Sequence, residues 1–114
     1  MNKKKILIIG SISYKNKLLE YKNRYESIEE YEVKIPILDD RDNCYAALDI
    51  IKKNIEMIKW ADEIHMLWDG KSIGTIADWQ TAVALGKPVT PIFIEDKFTY
   101  VQAMKSYGLT ANQK

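Results

Sequence analysis

Four short apolar runs punctuate the 114-residue chain, and between them the apolar positions recur at helical spacing. Residues 6–9, Ile-Leu-Ile-Ile, form a continuous aliphatic run stopped by Gly10 and Ser11. Such a run predicts a strand buried on both faces, the kind found in parallel sheets. From about 13 to 31 the chain is mostly Lys, Glu, Tyr, Leu and Asn, with Leu18, Leu19, Tyr25 and Ile28 giving a modest apolar face. That pattern predicts a helix with much of its surface in water. Residues 31–38 alternate, with Val33, Ile35 and Ile37 opposite Glu32, Lys34 and Pro36, as in an edge strand that tolerates proline.

Asp39, Asp40, Arg41, Asp42 and Asn43 then make a polar loop. Leu48, Ile51, Ile55 and Ile58 follow at steps of three and four, which predicts an amphipathic helix over 44–60 capped by Asp42 or Asn43. A third strand is expected at 64–68, closed by the turn pair Asp69-Gly70. A helix from about 74 or 75 to 85 comes next, with Gly86 as its terminator, followed by a fourth strand at 89–94. The remainder offers one helix around 98–106 and a polar tail, and no internal repeat or linker interrupts the chain.

Strands alternating with helices predict an α/β fold: a Rossmann-like or flavodoxin-like three-layer sandwich built as one domain over 1–114. About four parallel strands are expected, in the order 2-1-3-4. That order puts a switch point between the first and third strands and a crevice at their carboxyl ends. Gly10-Ser11 and the segment from Asp69 to Thr75 follow those two strands, so both fall at the crevice.

Charge adds little direction, since 17 basic residues face 16 acidic ones. Nucleic acid is therefore not an expected partner, and the Lys3–Lys5 cluster reads as a solvated lead-in to the first strand. No apolar run approaches the roughly 20 residues of a membrane span, and the first strand is too short for a signal-peptide core. These features predict a cytoplasmic protein that does not engage a membrane. One histidine and one cysteine are too few for a usual zinc site or a disulfide, and neither a metal nor a cofactor is expected.

The candidate chemistry gathers after the third strand. Gly70, Ser72, Gly74 and Thr75 are small enough for a tight turn that leaves amides at a helix start, where the helix dipole favours an anion. The segment reads either as a phosphate or carboxylate cradle, with Lys71 adding charge, or as a capped helix start. Asp78 follows on the helix, four residues after Gly74, where it can face the same ligand or stabilise the dipole. Trp68 and Trp79 are candidates either to stack on a base or to fill the core. Tyr14 follows the first strand, and Asp39, with Asp40, ends the second; all three are candidates for the crevice. His65, inside a strand with apolar neighbours, reads as packing.

The run Ala61-Asp-Glu-Ile-His-Met-Leu-Trp-Asp-Gly70, with Gly74-Thr75, Asp78, Ala82, Ala84 and Gly86-Lys-Pro-Val89, resembles the nucleoside 2-deoxyribosyltransferase family. The resemblance implies cleavage of an N-glycosidic bond through a carboxylate nucleophile, as a 2-deoxyribosyltransferase or a nucleoside 5′-monophosphate N-glycosidase. It places the nucleophile at Asp78, where the family carries glutamate, and a phosphate-binding serine at Ser72. Gln80 stands where a small residue is usual, and Asn54 where some relatives carry aspartate. Substrate contacts are expected from Gly10, Ser11, Tyr14, Asp39, Trp68, Asp69, Gly70, Ser72, Gly74 and Thr75.

The loop from Trp68 to Thr75, together with Ile-Ile-Gly-Ser11, also resembles the SLOG superfamily of nucleotide-binding proteins, although no glycine lies between 38 and 48. That resemblance implies non-catalytic binding of a nucleotide or a nucleotide-derived signal. Both readings agree on a nucleoside or nucleotide as the small-molecule partner. Relatives complete their sites with a neighbouring subunit, which implies a homodimer or larger homo-oligomer, with Met104 and Tyr107 as suspected contacts.

Overall fold

A computed structural model describes residues 3–28, 30–36 and 47–107. Asp39, Asp40, Asp42, Asn43 and Cys44, and the side chains of Leu48 and Tyr107, lie outside the described residues. The elements run β1 (Lys4–Ile9), a 3-10 turn (Ile12–Tyr14), α1 (Lys15–Glu26), β2 (Tyr31–Lys34), α2 (Ala47–Trp60), β3 (Glu63–Trp68), α3 (Ile73–Ala84), β4 (Val89–Ile94) and α4 (Lys97–Tyr107). The strands form one sheet in the order β2-β1-β3-β4, and every pairing is parallel. This is the Rossmann-like α/β sheet that the alternating pattern predicts.

Strand periodicity divides the core into two layers. Ile6 and Ile8 join Val33, Ile35 and Leu67 beneath Leu18 of α1. Leu7 and Ile9 join Ile64, Met66, Trp68 and Val89 beneath Ile58 of α2, Trp79 and Ala82 of α3, and Tyr100 and Ala103 of α4. β1 is therefore buried on both faces, which is why its sequence is an unbroken aliphatic run.

α1 is shorter than its composition suggests. It ends at Glu26, where the Ser27 hydroxyl donates to the Arg24 carbonyl at 2.6 Å. Leu19 and Ile28 are exposed, whereas Leu18 and Tyr25 face inward as the pattern predicts and Tyr21 completes that face. Ile51 likewise points outward from α2 at 54% exposure, although Ile58 is buried.

The turn after α3 has a clear physical cause. Gly86 takes φ +73, its amide donates to Val83 and that of Lys87 to Ala82, so the helix ends in a Schellman arrangement. The Lys87 ammonium then reaches the Lys59 and Ala61 carbonyls at 3.0 and 2.7 Å, tying this turn to the end of α2. Edge strand β4 carries Pro91, and Ile92 bulges out of register because Met66 faces Pro91 while Leu67 faces Phe93. Proline and a bulge both discourage a further strand from pairing along that edge.

Three tyrosines hold their protons more tightly in the fold than in water. Burial pushes Tyr14, Tyr25 and Tyr100 above the ordinary phenol value near 10.0, and the Glu95 carboxylate adds to the shift of Tyr14. Each phenol is neutral at lower pH in both folded and unfolded chains. Its stabilising proton affinity is intact below about pH 10 and is lost as pH rises past that value. Denaturant midpoints are expected to stay level through the neutral range and to fall above about pH 10, with a smaller fall in Tyr14→Phe.

Candidate functional site

The loops that follow β1, β3 and β4 meet at the carboxyl edge of the sheet. Gly10 opens this edge because a Cβ there would lie 3.3 Å from Leu67 Cβ and 3.4 Å from Leu18 Cδ2. Ser11 begins the 3-10 turn, its Oγ accepting from the Ser13 amide at 3.2 Å and the Ser13 hydroxyl at 3.0 Å. The turn projects Tyr14 across the switch point. The Tyr14 hydroxyl donates to a Glu95 carboxylate oxygen and lies 3.4 Å from the Trp68 carbonyl, which also accepts from the Glu95 amide at 2.9 Å. Its ring stands edge-on against Phe93 at 5.5 Å. One phenol thus joins the ends of β1, β3 and β4 on the α1 side of the crevice.

Three amides of the segment from Asp69 to Thr75 find side-chain acceptors within it. Asp69 Oδ1 accepts from the amides of Lys71 and Ser72 at 3.0 and 2.8 Å. Ser72 caps α3, its Oγ accepting from the Thr75 amide at 3.2 Å and the Thr75 hydroxyl at 2.9 Å. The helix start is therefore capped by Ser72, and the Asp69 carboxylate takes two of the amides that precede it. Thr75 is 2% exposed, whereas a Cβ on Gly74 would meet nothing within 4 Å.

Gly70 is required by geometry. It takes φ +89, and a Cβ would stand 3.1 Å from Thr99 Oγ1 and 3.3 Å from Asp96 Cβ at the start of α4. Gly70→Ala is expected to cost about 1–2 kcal/mol, read as a lowered denaturant midpoint. Gly74→Ala, in α3 with open space around it, is expected to be neutral or stabilising in the same assay.

Asp78 lies half-buried on the second turn of α3, one position before the core residue Trp79. Trp68 and Trp79 are 1% and 0% exposed and meet edge-on at 5.8 Å, and Trp79 stacks on Tyr100 at 5.4 Å. The Trp68 indole donates to Thr99 Oγ1 at 3.0 Å. Both indoles are core residues with no exposed face for a base, so what Trp68 offers the crevice is its carbonyl. Asn54 on α2, the helix beside α3, has a buried Oδ1 without a hydrogen-bond partner among the described residues.

The architecture has a solved counterpart. A 2-desoxiribosyltransferase from Leishmania mexicana matches with a TM-score of 0.62 at 28% sequence identity, over 82% of this chain and 65% of that one. The chain shares the fold of a 2-deoxyribosyltransferase. No family model matches the chain, and no curated protein does. It spans 65% of the length of the matched structure.

Against that fold, the sequence-derived candidates separate by position. Gly10, Ser11, Tyr14, Asp69, Gly70, Ser72, Gly74 and Thr75 all lie in the carboxyl-edge loops or the first turn of α3, Asp78 follows them on α3, and Asp39 is outside the described residues. Among the described residues no group of acids, histidines or cysteines is arranged to hold a metal ion, and no helix is long and apolar enough to cross a membrane. Sequence reasoning missed Glu95 and Asp96. Their signal was an acidic pair directly after the fourth strand, at the carboxyl edge. Asp96 caps α4 by accepting from the amides of Phe98 and Thr99 at 3.0 and 3.3 Å, while Glu95 receives Tyr14.

His65 is held from both sides away from this edge. Nε2 lies 3.0 Å from Glu63 and Nδ1 2.8 Å from the Tyr25 hydroxyl. A carboxylate only accepts, so Nε2 carries the proton and, in the neutral ring, Nδ1 accepts from the phenol. Glu63 also pairs with Lys4 at 2.6 Å, which holds its carboxyl below the ordinary range. This is a structural brace between α1 and the amino ends of β1 and β3.

Proposed function

We propose that the chain binds a 2′-deoxynucleoside at the carboxyl edge and cleaves its N-glycosidic bond through Asp78. The observation that carries this reading is the half-buried Asp78 on α3 beside the crevice, in a chain sharing its fold with a 2-deoxyribosyltransferase. The Asp78 carboxylate attacks the anomeric carbon as the C–N bond to the base breaks, and the base leaves with the bonding electrons and takes up a proton. Water or a second base then attacks the same carbon, releases the carboxylate and restores the original configuration.

The electrostatics favour a substrate without a 5′-phosphate. Asp69, Glu95 and Asp96 lie in the loops after β3 and β4 and Asp78 on the second turn of α3, against Lys71 and Lys97 in the same segments, and Asp69 already takes two loop amides. Carboxylates accept from sugar hydroxyls and repel phosphate. Incubation with the four common deoxynucleosides, followed by chromatography, is expected to show free base, with the corresponding 5′-monophosphates at least about tenfold slower. Absence of base from all four would sink the reading.

Binding without turnover has one observation in its favour. Aspartate is a methylene shorter than the glutamate of the family pattern, and misplacement of a reacting group by about 1 Å costs on the order of a hundredfold in rate. Calorimetric saturation by a nucleoside or nucleotide with no base released is the outcome that selects it.

A further inference from the structure

At the β2 edge of the sheet, on the face that also carries α3, edge strand β2 and helix α2 leave an open groove of about 420 Å³ lined by Lys34, Lys52, Lys53, Glu56, Met57 and Trp60. Its existence follows from the strand pattern. Val33 and Ile35 turn toward α1, so on the other face β2 presents Lys34 rather than an apolar side chain for α2 to cover. The floor is the half-buried Trp60 indole, with the Lys34 ammonium 4.6 Å and the Lys5 ammonium 5.9 Å from its ring centre.

Among the described residues the groove is mainly basic although the chain as a whole is nearly neutral. Lys34 and Lys52 line it with Glu56, which lies 3.7 Å from Lys59, while Lys53 has a partner of its own. Among the described residues no carboxylate pairs with the ammonium groups of Lys5, Lys34 or Lys52. In place of an anion, Lys34 rests on the indole, a contact that an incoming ring and phosphate can replace with stacking and a charge-assisted hydrogen bond.

We propose that this groove binds a mononucleotide, its base on the Trp60 indole and its phosphates between Lys34 and Lys52. An aromatic floor rimmed by cations is the arrangement that takes a flat ring carrying an anion, and the volume suits a ligand of that size. The site is separate from the acidic crevice beside Asp78 and does not rest on the reaction assigned there. It selects for the phosphate that the crevice disfavours.

The three tryptophans give three indole N–H signals in a nitrogen-15 correlation spectrum, and Trp60 is the reporter. Titration with adenosine 5′-diphosphate is expected to shift the Trp60 signal to saturation below about 1 mM, and raising salt from about 50 to about 200 mM should weaken binding about fivefold. Lys34→Gln/Lys52→Gln should weaken it at least about tenfold, while Asp78→Asn leaves it unchanged. Adenosine without phosphate should fail to saturate at the same concentrations. A Trp60 signal that stays fixed, or that moves equally in Lys34→Gln/Lys52→Gln, overturns the proposal. Tighter binding of a short single-stranded oligonucleotide overturns the mononucleotide assignment.

Discussion

Asp78→Asn is expected to abolish release of base from deoxynucleosides, by at least about a thousandfold, while nucleoside binding measured by calorimetry changes less than about threefold. The amide keeps the shape of the carboxylate but cannot form the glycosyl ester, so only the bond-making step is lost. Asp78 stands on the flank of α3 next to buried Thr75 and Ala82, where an isosteric change disturbs little packing. Asp78→Glu restores the length found in the family pattern and is expected to retain or raise turnover. A parallel loss of binding and turnover in Asp78→Asn, or release at the wild-type rate, contradicts the assigned role.

Trp79→Ala is expected to be strongly destabilising, at about 3–5 kcal/mol, a large share of the 5–15 kcal/mol typical of a whole domain. The indole is fully buried and links three elements: β3 through Trp68, α4 through Tyr100, and α3 itself. Its removal leaves a cavity under the helix that carries Asp78, so the site fails with the fold. Trp60→Phe, on the open groove at the other edge, should cost less than about 1.5 kcal/mol. Guanidinium unfolding of the two variants checks this, and similar midpoints for both would count against the assignment of Trp79 to the core keystone.

The elements of the fold were unequally visible in the sequence. β4 was legible to the residue, because Val89–Ile94 is apolar and is fenced by Gly86, Pro88 and the Glu95-Asp96 pair. β1 begins two residues earlier than its aliphatic run, since backbone pairing with Tyr31 and Glu32 recruits Lys4 and Lys5 irrespective of their side chains. α1 ran shorter than its composition, because Ser27 turns the chain back toward β2. The strand order followed from alternation and the rules of parallel crossovers, so the crevice could be placed before any contact was known.

The chemistry of the crevice was less legible. Small residues at Gly70, Ser72, Gly74 and Thr75 are equally compatible with an empty cradle and with a self-capped turn. The fold-back of Asp69 onto its own loop, with two hydrogen bonds, is a feature that no local pattern of small residues announces. Tyr14 was placed near the crevice by its position after β1, but its partner Glu95 is 81 residues away and no local pattern connects them. The tryptophans were ambiguous for a similar reason, since burial is decided by the third dimension.

The position of a bound deoxynucleoside decides between catalysis at Asp78 and every other use of this edge. A crystal structure of Asp78→Asn soaked with a deoxynucleoside is expected to place the residue 78 side-chain oxygen about 3–3.5 Å from the anomeric carbon, with the sugar beside the loop that follows β3. A sugar bound away from that loop, or an anomeric carbon more than about 5 Å from residue 78, contradicts it.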